Sequence, residues 1–426
     1  MFSGFVNVEP ETDSNLFYWF FRDENLTSDA PLVIWINGGP GSSSQLGNIL
    51  ENGPLKLVKD SANVTKVHSL KGQAWNAVAN VVYVDQPVGV GFSYGHRNIT
   101  EGSQIGLYML KFIQGFYELY PEMKGRKFYI SGESYGGKYL PAIASAIIDY
   151  NANATEDEKI QLDGVLIGNG FVDPIVQRLS IRELSIGAGL IQFDSIPELD
   201  IMEKRCHYSN SIKDVQAPEV CGDVSGFFTI MDGGMDSYDI RYPSSNSTIW
   251  KNYMIEYLND PDVISDLHCE NSKKFPIYSA SNETVYENFI SDGMVRYIDE
   301  HQKILDNNIT LLLFYGQFDN HDGPYGAQEW MKKLNWSSID EYYAGSRNLY
   351  YYASDDNGEV KLGGNFKSYE NFHFLVVYAA GHLVPSTQLA LSRNMLSDII
   401  YHDKLLCHEQ NGQCSLDNIT IQLMNN

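Results

Sequence analysis

Two stretches of the chain place a serine between glycines two residues away on either side: Gly132-Glu133-Ser134-Tyr135-Gly136 and Gly91-Phe92-Ser93-Tyr94-Gly95. That spacing lets a strand turn sharply into a helix and leaves the hydroxyl exposed at the turn. A serine held there attacks a carbonyl carbon once an imidazole takes its proton and a carboxylate orients the imidazole. One site uses one nucleophile, so the flanking residues decide between the two. Ser134 follows the apolar run Phe128-Tyr129-Ile130 and precedes Tyr139, Leu140, Ile143, Ala144, Ile147 and Ile148, which recur at helical spacing. Ser93 is separated from its nearest apolar run, Val81-Val82-Tyr83-Val84, by a further loop and is followed by polar, turn-rich sequence. Ser134 is therefore the expected nucleophile, and Ser93 a loop residue near the site.

A partner base is expected where another strand ends. His382 stands in Ala379-Ala380-Gly381-His382-Leu383-Val384-Pro385, a glycine-marked turn directly after the apolar run Phe374 to Tyr378. Taken alone it reads equally well as a structural histidine. Asp319 follows the run ending at Tyr315 in the same way, and the chain order Ser, Asp, His is that of the α/β-hydrolase fold. Trp35-Ile36-Asn37-Gly38-Gly39-Pro40-Gly41, after another apolar run, offers closely approaching backbone N–H groups. Gly39 N–H and Tyr135 N–H are the expected oxyanion donors. A phosphate cradle is the other use of such a loop, but the lysine that would accompany it is missing. No C-x-x-C or H-E-x-x-H spacing occurs, so neither a metal nor another cofactor is expected.

The elements that must position these residues alternate. Strands are expected at Phe5 to Val8, Leu16 to Phe21, Leu32 to Ile36, Val81 to Val84, Phe128 to Ile130, Gly164 to Gly168, Ile309 to Tyr315 and Phe374 to Tyr378. Helices are expected at Gln104 to Tyr120, after Ser134, at Gly326 to Leu334 and at Ser386 to Tyr401. Such alternation indicates an α/β protein with a mostly parallel central sheet and helices on both faces. From about Val172 to His301 the sequence turns irregular, charged and helix-prone, as in Asp194 to Arg205 and Tyr286 to Leu305. The expected organisation is a core in two parts, residues 1–171 and 302–426, around a largely helical insertion at 172–301. That insertion reads as a lid over the site or as a surface subdomain.

The 426 residues carry a formal charge of −24, which repels phosphates and argues against a nucleic-acid partner. No apolar stretch approaches the roughly 18 residues of a membrane helix. The sequons at Asn25, Asn63, Asn98, Asn153, Asn246, Asn282, Asn308, Asn335 and Asn418 exceed the roughly three or four that composition would yield by chance. They indicate the secretory pathway, with secretion or an acidic lysosome- or vacuole-like compartment as destinations, although no signal peptide precedes the first expected strand. Of five cysteines, Cys206 with Cys221 and Cys407 with Cys414 each bracket a short polar stretch and are the expected disulfides, leaving Cys269 unbridged.

The motifs taken together resemble the serine carboxypeptidases, and among them the vitellogenic-carboxypeptidase-like branch. LFYWFF (16–21), PLVIWINGGPGSSS (31–44), ENGPL (51–55), VDQPVGVGFSY (84–94), FYISGESYGGKYLPAIA (128–144), IGNGFVDP (167–174), YGQFD (315–319) and AGHLVP (380–385) occur in the family's order over nearly the whole length. The resemblance implies an α/β-hydrolase fold and a Ser134, Asp319, His382 triad. It also implies a site for the free C-terminal carboxylate of a peptide, built from Asn37, Gly38, Glu51 and Glu133 with Trp35 in support. A carboxylate beside two glutamates is repelled unless these carry protons, so low pH should favour binding. The implied activity is release of C-terminal residues from peptides at acidic pH through an acyl-enzyme, by a monomer or homodimer. An acyltransferase on the same scaffold would not need to grip a carboxylate, and a non-catalytic chaperone or binding protein would be expected to lack part of the triad. Four residues depart from the common pattern: Ser42 stands where many members have a bracing cysteine, Gln317 where an aspartate is frequent, and His321-Asp322 follow Asp319 as either pocket-tuning residues or a solvated loop.

Overall fold

Leu32-Val33-Ile34-Trp35-Ile36 is apolar on both faces, and every one of its side chains is buried, as a central strand covered on both sides requires. The computed structural model describes residues 1–60, 65–96, 98–231, 233–244, 248–269, 278–354 and 358–406. Its strands are β1 Phe2–Glu9, β2 Ser14–Phe21, β3 Leu32–Ile36, β4 Leu55–Lys59, β5 Thr65–Ser69, β6 Asn80–Val84, β7 Phe128–Glu133, β8 Gly164–Gly168, β9 Met235–Asp236, β10 Asp239–Pro243, β11 Thr310–Gly316, β12 Asn348–Ala353, β13 Val360–Tyr369 and β14 Phe372–Val377. Ten of them form one sheet in the order β1-β2-β6-β3-β7-β8-β11-β14-β13-β12. The pairs from β6 through β14 are parallel, and the outer pairs on both flanks are antiparallel.

Alternate residues of the central strands feed two separate cores. Ile34, Ile130 and Val165 point to the side covered by the helices Gly102–Leu119 and Gly136–Asn151, whereas Val33, Trp35, Tyr129 and Leu166 pack with Leu396 and Ile399 of the helix Leu389–His402. This is the three-layer arrangement of a mostly parallel sheet with helices on both faces. Because parallel strands share one direction, the carboxyl ends of β3, β7, β8, β11 and β14 and the loops that follow them gather at one edge. All the expected reacting residues lie on those loops.

The strands expected from the sequence are present, extended by a few residues at most. The edge strand β12, its neighbour β13 and the hairpin β4–β5 were not expected, because Val360–Tyr369 (VKLGGNFKSY) and its neighbours carry too much polar sequence for their pattern to show. The stretch Tyr286 to Leu305 is not one helix. It divides into Glu283–Asn288, a short 3-10 turn at Asp292–Met294 and Ile298–Asp306, because Asp292 turns inward to bond Tyr135 and Tyr297. Between β8 and β11 lie further helices at Pro174–Gly187, Ile196–Ser211, Ala217–Met231, Thr248–Leu258 and Pro261–Asp266, with their own small core around Leu199 and Phe228. Among the described residues, no helix is long and apolar enough to cross a membrane.

Candidate active site

Ser134 sits between β7 and the helix Gly136–Asn151 with a φ of 59°. A residue with a side chain is seldom held in that left-handed region unless its surroundings enforce it. Here the enforcement is backbone bonding: Ser134 N donates to Gly168 O at 3.0 Å, and its carbonyl accepts from Gly137 N at 2.9 Å and Phe171 N at 2.8 Å. The next N–H, that of Tyr135, faces Gly38. A Cβ on Gly38 would lie 2.3 Å from Tyr135 N and 3.0 Å from Ser134 Cβ, so glycine is required for the two loops to meet. Among the described residues neither Tyr135 N–H nor Gly39 N–H is taken up by a backbone hydrogen bond, as the expected oxyanion donors require.

His382 and Asp319, 63 residues apart in sequence, are joined by a hydrogen bond of 2.8 Å between Nδ1 and Oδ2. Asp319 is further fixed by Asn169 Nδ2 at 2.6 Å and by the backbone N–H groups of His321 at 2.7 Å and Asp322 at 3.2 Å. Burial alone would raise the Asp319 pKa, but the His382 charge and these donors hold it below the ordinary carboxylate range. Burial works against an imidazolium at His382, yet the Asp319 carboxylate more than offsets it, and the ring's proton affinity lies above the ordinary value. Nδ1 is committed to Asp319, while the buried Nε2 has no hydrogen-bond partner. This is the arrangement a base needs if it is to accept a proton through Nε2.

Asn37 gathers the second group of expected residues. Its Oδ1 accepts from Trp35 Nε1 at 2.8 Å and Gly47 N at 3.0 Å, which fixes the amide so that Nδ2 donates to Glu133 at 2.9 Å and to Glu51 at 3.3 Å. Both glutamates are buried and face each other within hydrogen-bonding reach, and among the described residues no donor group serves the second oxygen of either. Burial pushes both carboxyls up, and the charge of Glu51 pushes Glu133 higher still. The pair is thus held toward its protonated form, in which the spare oxygens are available for hydrogen bonding to a ligand.

Asp85 explains the other Gly-x-Ser-x-Gly stretch. Its carboxylate accepts from Ser43 Oγ at 2.6 Å, Ser44 N at 2.9 Å and Phe92 N at 3.0 Å, tying the Gly38–Gly41 loop to the Gly91–Gly95 loop. Ser93 is buried; its Oγ donates to Asp85 O at 2.5 Å and accepts from Phe17 N at 2.8 Å, so the hydroxyl is consumed in bracing. At Ser42 the backbone supplies the bracing that a cysteine provides elsewhere, with Asn282 N donating to Gly41 O at 2.9 Å and Ser43 N to Ala280 O at 3.0 Å.

Cys206 and Cys221 form a disulfide, and Cys269 is buried with its Sγ near Leu267 O. Cys407, Cys414, Asn63, Asn246 and Asn418 lie outside the described residues. Asn25, Asn98, Asn153, Asn308 and Asn335 are exposed, whereas Asn282 uses its Nδ2 to bond Gly89 O at 2.7 Å and its Oδ1 to cap the helix Glu283–Asn288. Asp322 is buried rather than solvated, and His321 is half-exposed beside His382, their rings 5.5 Å apart. Two residues that touch the Asp–His pair were not singled out from the sequence. Tyr238, between β9 and β10, stacks on the His382 ring at 4.5 Å, and its carbonyl accepts from the His382 backbone N–H at 2.6 Å. Asn169 was visible only as part of a turn, although its φ of 42° and the motif IGNGFVDP mark it.

A mostly parallel sheet, a serine on a strained strand-to-helix turn and a buried Asp–His pair on later strand ends define an α/β-hydrolase. Within that class the chain belongs to the serine carboxypeptidase family, whose model matches residues 1–402. It is 30% identical over 418 residues to carboxypeptidase Y of Candida albicans, covering 94% of this chain and 73% of that one. To a protein of Dictyostelium discoideum named probable serine carboxypeptidase CPVL it is 31% identical over 421 residues, covering 94% and 79%. Such even identities assign the family rather than a branch of it. The fold also matches the crystal structure of a prohormone-processing carboxypeptidase from Saccharomyces cerevisiae with a TM-score of 0.85 at 24% identity, over 97% of this chain and 93% of that one.

Proposed function

We propose that this protein removes single residues from the C-termini of peptides at acidic pH through an acyl-enzyme on Ser134. The observation that carries the reading is the buried Glu51–Glu133 pair joined through Asn37, with Glu133 immediately preceding the serine. Ser134 Oγ attacks the carbonyl carbon of the last peptide bond while His382 Nε2 takes its proton, and Asp319 stabilises the resulting imidazolium. The oxyanion accepts hydrogen bonds from Gly39 N–H and Tyr135 N–H. The C–N bond then breaks, His382 returns the proton to the leaving amine, and a water activated by the same ring releases the acyl group. Asn37, Glu51 and Glu133, with the Gly38 backbone and Trp35 behind Asn37, hold the carboxylate of the departing residue.

The pH dependence follows from two opposed demands. Protonated glutamates grip a carboxylate, and that grip weakens as pH rises through their elevated pKa values; His382 must be neutral to act as base, which fails as pH falls. The Glu51 charge is among the groups that raise His382, so protonating the clamp also eases deprotonation of the base. Residues 172–301 act as a lid in this reading, supported by Tyr238 on His382 and by cavity walls drawn from this segment. The exposed sequons support passage through the secretory pathway.

The test is a pair of substitutions measured on a free-acid peptide and its C-terminal amide. Ser134→Ala should lower kcat/KM by ~10⁴-fold or more, and Ser93→Ala should leave labelling by a fluorophosphonate and most of the rate intact. The wild-type protein should strongly prefer the free acid. Equal losses from the two serine variants, or equal rates on acid and amide, would overturn the assignment.

A further inference from the structure

A cavity of about 680 Å³ opens beside the serine, lined by Ser134, Tyr135, Phe171, Arg178, Tyr238 and Asp322 among others. Asn37, Glu51 and Glu133 are absent from its walls, so the departing residue, whose carboxylate those groups hold, lies elsewhere. The cavity takes the other side of the scissile bond, the side chain of the penultimate residue that becomes the acyl group.

Its wall carries a cation close to the reacting centre. The Arg178 guanidinium lies 5.7 Å from the centre of the Phe171 ring, and Phe171 N bonds the carbonyl of Ser134 at 2.8 Å. The same ring lies 5.1 Å from Nζ of Lys138, a buried residue that also sits 5.0 Å from the ring of Tyr135. Two basic side chains therefore contact one aromatic ring, whose own backbone N–H bonds the carbonyl of the nucleophilic residue. Arg178 has five N–H donors, and among the described residues its one hydrogen-bond contact is to Met294 Sδ at 3.3 Å, with no carboxylate in salt-bridge range. The carboxyl that faces it, Asp322, is pushed up to about 7 by burial and by the Asp319 charge, so it is largely protonated in acid. Below about 7 Lys138, whose proton affinity burial has lowered to that value, is charged as well, but its Nζ donates to Asp292 O at 2.6 Å and the Asp292 carboxyl beside it offsets that charge, which leaves Arg178 as the cation open to a ligand. Glu219, exposed, and His321, half-exposed, also line the cavity, where solvent screens their charge.

Resting on the carboxypeptidase reading above, we propose that this subsite selects peptides whose penultimate residue is Asp or Glu, with the Arg178 guanidinium receiving that side-chain carboxylate as the specificity-determining group. A guanidinium with free planar donors in a half-buried wall is suited to a carboxylate and repels a cation.

Three blocked peptides that differ only in a penultimate Glu, Gln or Lys test this at pH about 5.5, where a Glu side chain is ionised. Wild-type protein should favour Glu over Gln in kcat/KM on the order of tenfold, with Lys poorest. In Arg178→Gln the Glu/Gln ratio should fall to about one, Arg178→Lys should retain part of it, and Arg178→Glu should favour Lys over Glu. Comparing ratios within each variant cancels any loss common to all substrates, and fluorophosphonate labelling shows that the site is formed. A wild-type protein that cleaves Gln or Lys peptides as well as Glu, or a Glu preference that survives Arg178→Gln, overturns the proposal alone. No turnover of any peptide by labelled protein overturns the carboxypeptidase reading with it.

Discussion

Two acidic centres lie buried at the same edge of the sheet, and the protein treats them in opposite ways. Asp319 accepts four hydrogen bonds, one from His382, and is held ionised. Glu51 and Glu133 share one Asn37 amide, face each other within hydrogen-bonding reach, and are held toward their protonated forms. Burial is common to both centres and raises all three carboxyls. What differs is the supply of donors and positive charge, and that supply decides whether a buried carboxyl serves as an anion or as a hydrogen-bond donor.

Breaking the ionised centre should have the largest effect. Asp319→Asn keeps the shape but removes the charge that sets the His382 tautomer, and kcat should fall by ~10⁴-fold on ester and peptide substrates alike. A loss confined to peptides would show that Asp319 belongs to substrate binding instead.

The protonated centre should fail differently. Glu51→Gln with Glu133→Gln provides donors at every pH, so the alkaline decline in kcat/KM for free-acid peptides should flatten, with about a tenfold cost at the optimum. Esters without a free carboxylate should show no such decline in either protein. A double variant that still loses peptidase activity on the alkaline side as the wild type does would remove the glutamates from the pH dependence.

The smallest effect is on stability, and its sign separates the centres again. Raised folded-state pKa values mean that the glutamates' contribution is fully present below the unfolded value and is lost as pH rises through the folded ones; the lowered value of Asp319 gives the reverse, a contribution present above the unfolded value and lost as pH falls through the folded one. The Glu-to-Gln double variant should therefore gain thermal stability over wild type as pH rises from the acidic toward the neutral range, by roughly 2–4 °C. A difference in Tm that is constant with pH would show that the pair titrates normally.

Much of this was legible in the residues. Fully apolar runs such as Leu32–Ile36 and Gly164–Gly168 announce central strands because both faces are buried, and glycine spacing with correct flanks separated Ser134 from Ser93. The edge strand β12 and the adjoining β13 were not legible, since a half-solvated strand such as β13 with Gly363-Gly364 in it carries little pattern. Nor were Tyr238, Arg178 and Lys138, whose places by the site come from segments that read only as charged or helical.

The sequence by itself determined the kinds of group available, their order along the chain and the strand ends that would carry them, because short-range pattern follows directly from backbone periodicity and turn sterics. The tertiary structure alone decided which side chains share a proton and which share a charge. Asn37 meets Glu133 across 96 positions and His382 meets Asp319 across 63. The charge state of a buried carboxyl depends on neighbours brought in from such distances, at contacts of about three ångströms that no local pattern records.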